Sequence, residues 1–104
     1  GTVVENDELM GFARALVQAK AGQAGPDEKE LMAKELRVQI EDMINRELLS
    51  RMDGPQIVEF RGILEQEADF TPEKMLDFIK NCDIDINNVT TVALAKVKFA
   101  YLGT

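Results

Sequence analysis

Histidine is missing from all 104 residues, and cysteine occurs once, as Cys82. The first absence removes the commonest general base and the commonest metal ligand, so any acid–base work would fall to carboxylates. The second excludes an intramolecular disulfide and a cysteine-cluster zinc site, and it fits a reducing compartment. No apolar run reaches the length needed to span a bilayer, and no charged start followed by an apolar core marks a signal peptide. A cytoplasmic protein is therefore expected. Internal repeats of useful length and low-complexity tracts are lacking, as are a phosphate-cradling glycine loop, a serine nucleophile elbow and a dinucleotide fingerprint. Gly22, Gly25 and Gly54 read as loop glycines.

What is present is an ordinary folding composition, 45% apolar and 30% charged, on a chain of single-domain length. At this size surface still competes with interior, so oligomerisation would help. Nineteen acids against twelve bases give a net charge of −7. Arg37, Arg46, Arg51, Arg61 and Lys74 are interleaved with acids rather than gathered, which argues against a nucleic-acid partner.

Five helical segments follow from local signals, and with no paired strand candidates they predict an all-α protein, a small five-helix bundle with one long central helix. Asn6 can cap the first segment, about 7–21, whose opening turn carries Asp7 and Glu8 and whose apolar face is Leu9, Phe12, Ala13, Leu16 and Val17. A loop with Gly22 and Gly25 is the one linker, so residues 1–104 read as a single domain whose first helix is an appendage free to move. Pro26 opens the second helix, with Asp27 and Glu28 at the positive end of its dipole. This helix is expected to run to Met52 with the stripe Met32, Leu36, Ile40, Met43, Ile44, Leu48 and Met52. Acids four residues ahead of bases, Glu30 to Lys34, Asp42 to Arg46 and Glu47 to Arg51, mark a wet face. Asp53 and Gln56 have capping-box spacing for a third helix through Ile57, Phe60, Ile63 and Leu64, with Gly62 inside it at a cost of about 1 kcal/mol unless another backbone comes close. Thr71 and Pro72 start a fourth, with Phe70 and Met75 placed as a hydrophobic staple and Met75, Leu76, Phe78, Ile79 and Cys82 as its buried face. For the last segment, Val89 to Leu102, an Asn88 cap, the stripe Val89, Val92, Ala93, Val97, Ala100 and Tyr101, and Gly103 as terminator favour a helix. Alternation of Val97, Phe99 and Tyr101 is the competing strand signal.

The run Ile40-Glu41-Asp42-Met43-Ile44-Asn45-Arg46-Glu47-Leu48-Leu49, then Glu59-Phe60 with Ile63-Leu64, Phe78-Ile79-Lys80 and the closing Tyr101-Leu102-Gly103 resemble a family of short, all-helical bacterial proteins known only as a domain of unknown function. The resemblance covers about residues 26–103 and rests on packing positions. It implies an all-helical fold and carries over no functional residue.

Candidate chemistry is thin. Asp83, Asp85 and Asn87 alternate like the first ligands of a calcium loop, but the sixth and twelfth places hold Asn88 and Leu94 where glycine and glutamate are needed. A polar turn capping the last helix is the better reading. Cys82 has no histidine to activate it and has Asp83 beside it to raise its pKa, so it reads as a small buried side chain. Glu65, Glu67 and Asp69 form an acidic cluster in which Glu65 and Glu67 leave different helix faces, as on a solvated surface. Met32, Met43 and Met52 read as core filling before adaptable binding surface. No catalytic, cofactor-binding or metal residue is expected.

A helix from Pro26 to Met52 would span roughly 40 Å, against a radius of gyration of about 13 Å for a compact domain of this size. Part of its stripe is expected to overhang and to need a partner protein or a second copy. Leu31, Val38 and Leu49 lie off that stripe and widen the apolar surface, which marks them as interface candidates in a homodimer. The leading expectation is a noncatalytic interaction or adaptor module working through helix faces, with no nucleic acid and no membrane as partner. The alternatives are an acidic regulator that mimics nucleic-acid charge and, last, a carboxylate-only enzyme.

Overall fold

A computed structural model describes residues 6–66 and 71–103, which form five helices and no strand. They are α1 (Asn6–Ala21), α2 (Pro26–Ser50), α3 (Gly54–Glu65), α4 (Pro72–Asn81) and α5 (Ile86–Leu102). The all-α class and the long helix are thus present, and the strand signal in the last segment loses to a helix closed by Gly103 in the left-handed conformation at φ 78°. There the Gly103 N–H donates to the Phe99 carbonyl at 2.7 Å, satisfying a terminal acceptor that helices otherwise leave open.

The helix starts arise from local chemistry. Pro26 follows Gly25 into α2 with no side-chain cap. Asp53 and Gln56 close a reciprocal box, the Gln56 N–H donating to Asp53 Oδ1 at 2.9 Å and the Asp53 N–H to Gln56 Oε1 at 3.1 Å. Thr71 Oγ1 accepts from the Lys74 N–H at 3.2 Å. Phe70, the other half of the staple expected with Met75, lies outside the described residues, and so does the Asn6 side chain proposed as a cap.

Two boundaries differ from the sequence reading. α2 stops at Ser50 rather than Met52, because the Arg51 and Met52 N–H groups reach back only three residues, to the Leu48 and Leu49 carbonyls at 3.1 and 3.2 Å. α5 begins at Ile86, capped by Asp85 rather than Asn88; Asp85 Oδ1 accepts from the Asn87 and Asn88 N–H groups at 3.0 and 3.3 Å. What moves the boundary is the end of α4. Asp83 adopts a left-handed φ of 59°, the Asp83 N–H donates to the Lys80 carbonyl, and the Ile84 N–H donates to that of Ile79. This double closure turns the chain so tightly that the next residue, Asp85, is already in capping position.

α1 and α5 both pack along α2, and α1 also meets α5. The buried side chains are Leu9, Ala13, Leu16 and Val17 from α1, Ala33, Leu36, Ile40, Ile44 and Leu48 from α2, and Val89, Ala93 and Val97 from α5. Met52, Phe60, Met75 and Ile79 complete them, with the Phe60 and Phe78 rings stacked at 6.3 Å. α1 is therefore part of the core despite the glycine loop before α2. Met32, Met43, Phe12 and Val92 are half-buried, whereas Leu76, expected inside, and Ala100 are exposed. The stripe of α2 does not overhang: from Leu36 to Met52 it is closed over by the chain's own helices. The molecule instead stretches to hold it, measuring 46 × 30 × 17 Å with a radius of gyration of 15.0 Å.

The helices are tied by ion pairs at the rim. Arg14 of α1 grips Glu30 of α2 with two hydrogen bonds, at 3.1 and 2.8 Å. Glu47 of α2 accepts from Lys96 of α5 at 2.8 Å and from Arg51 at 3.2 Å. Lys20 of α1 donates to the Tyr101 carbonyl at 2.8 Å while its ammonium lies 4.5 Å from the centre of the Tyr101 ring.

Candidate functional site

With its inner face spent on α1 and α5, α2 leaves its other face uncovered. Asp27, Glu28, Leu31, Lys34, Glu35, Val38, Gln39, Asp42 and Arg46 are all exposed. Residues in a helix advance about 100° each, so Leu31, Val38 and Leu49, seven and eleven residues apart, fall within about 20° of one line. That line runs opposite the buried stripe. Leu31 is 59% exposed and Val38 56%, while Leu49 is half-buried against the margin of the core. The structure thus puts the three sequence candidates on one line and leaves two of them more than half exposed.

The charges around this line are ordered. Lys34 and Glu35 leave the helix about 50° to either side of it. Asp42 pairs with Arg46 at 2.9 Å, as its spacing predicted. Glu30, expected to pair with Lys34, is taken by Arg14, whose hydrogen bond holds the Glu30 carboxyl below its usual range. Arg37 and Glu41 form a further pair that points the other way along the chain. Burial works against ionisation of Glu47, but the hydrogen bond from Lys96, joined by that from Arg51, holds its pKa below the usual value.

Among the described residues no other exposed apolar group reaches this arrangement. Val58, Leu76 and Phe99 each stand alone on separate helices, at 72%, 40% and 64% exposure. Sequence reasoning missed the openness of Phe99 and Val58, for which helical angle on α5 and α3 was the available signal. A small cleft of about 200 Å³ lies between α1 and α2, lined by Arg14, Val17, Gln18, Pro26, Lys29 and Glu30. Its polar groups already engage one another, Arg14 with Glu30 and Lys29 with Gln18 at 3.0 Å.

The chemical candidates do not assemble into a site. Asp85 is committed to capping α5, and Asp83 holds the turn before it. Among the described residues no group of three or more cysteine or acidic side chains is placed to hold a metal ion. Cys82 is half-buried, and burial first, then Glu59, Asp53 and Asp83, pushes its thiol pKa up, away from the reactive thiolate. Glu65 is exposed; Glu67 and Asp69 lie outside the described residues. No described helix is long and apolar enough to cross a membrane.

Comparison with family models, with curated proteins and with solved structures finds no match.

Proposed function

We propose that this chain is a noncatalytic interaction module that docks another protein chain on the outer face of α2. The observation that carries the reading is the openness of Leu31 and Val38 on one line of a 25-residue helix whose opposite face is fully used by the fold. Large apolar side chains set in register on a rigid helix suit recognition by another helix face. The single cysteine fits a reducing, cytoplasmic setting for such a module. Charge mimicry of nucleic acid is the weaker account, because Glu30, Glu41, Asp42 and Glu47 each hold an arginine or lysine within an ion pair. A carboxylate-only enzyme would need a cleft of acids with raised pKa, and among the described residues the two carboxyls with displaced values, Glu30 and Glu47, are both lowered.

Sedimentation equilibrium over a wide concentration range, on the native chain and on a Leu31→Glu/Val38→Glu variant, tests the docking face. Association that the double substitution abolishes at unchanged helicity, and that salt barely weakens, is the expected result. An association state that survives the two glutamates removes this face as the docking surface.

A further inference from the structure

We draw no further inference here: the strongest candidate, the uncovered outer face of α2 around Leu31 and Val38, belongs to the site already described, and nothing in the structure shows what covers it.

Discussion

Asp83 holds a backbone conformation that suits glycine, at φ 59°, in order to close α4 and deliver Asp85 as the cap of α5. A side chain in this region costs roughly 1 kcal/mol, less for aspartate than for a branched residue. Asp83→Gly is therefore expected to gain up to about 1 kcal/mol in urea denaturation, whereas Asp83→Val should lose stability. The converse holds in α3. A Cβ built on Gly62 would meet nothing within 4 Å, so no close backbone approach explains the glycine there. Gly62→Ala should accordingly stabilise the chain by about 0.5–1 kcal/mol in the same assay. At this scale the sequence was readable wherever a residue acts on its immediate neighbours. Asp53 with Gln56 and Thr71 with Lys74 did what their spacing said, since a cap needs only the next three residues. Asp85 and Asn88 are equally good caps, and the choice between them hung on the conformation of Asp83, which spacing does not encode.

Between elements, the contacts that orient the helices were mostly invisible in the sequence. The pairs at i and i+4 on α2 can be read from their spacing, and Asp42 with Arg46 and Glu47 with Arg51 form as expected. Nothing in the spacing links Arg14 to Glu30 or Lys96 to Glu47, because those pairs depend on how whole helices lie against one another. The second of these has a pH signature. Glu47 has a folded pKa below its ordinary value of 4.5, so the unfolded chain binds its proton first as pH falls. Its contribution is complete above the ordinary value and is lost as pH drops through the lower, folded one. Melting temperature measured from pH 7 to pH 2 should fall on the acid side, and Glu47→Gln should flatten part of that fall while lowering the neutral plateau. The outer line of α2 was legible because helical angle places Leu31 and Val38 opposite the core stripe. The half-burial of Leu49 was not, since cover near a helix end depends on the path of the chain beyond it.

Over the whole molecule, the close backbone approaches gather in α1, α2 and α5. The shorter helices hold on through side chains such as Phe60, Phe78 and Ile79. Stability should be distributed in the same way, with local openings of α3 and α4 that leave the three-helix unit intact. Native-state hydrogen exchange is expected to show the amides around Ile40, Ile44 and Ala93 protected most strongly and those of α3 and α4 exchanging by a cheaper opening. Uniform protection across all five helices would instead mean one cooperative unit. The overall outline was half legible. A helix longer than a compact domain can contain was apparent from the stripe, but the remedy was not, since an elongated molecule and an uncovered overhang answer the same excess length equally well. The structure takes the first, at 46 Å in its longest dimension.

Lys20 stacked on Tyr101 offers something other than stability. Tyr101 is the single tyrosine of a chain without tryptophan, so practically all useful intrinsic fluorescence comes from a ring set where the end of α1 meets the end of α5. The protein thereby carries its own optical label at that junction, and emission from one known place can follow the parting of these two helices in real time, with no dye attached and no residue changed.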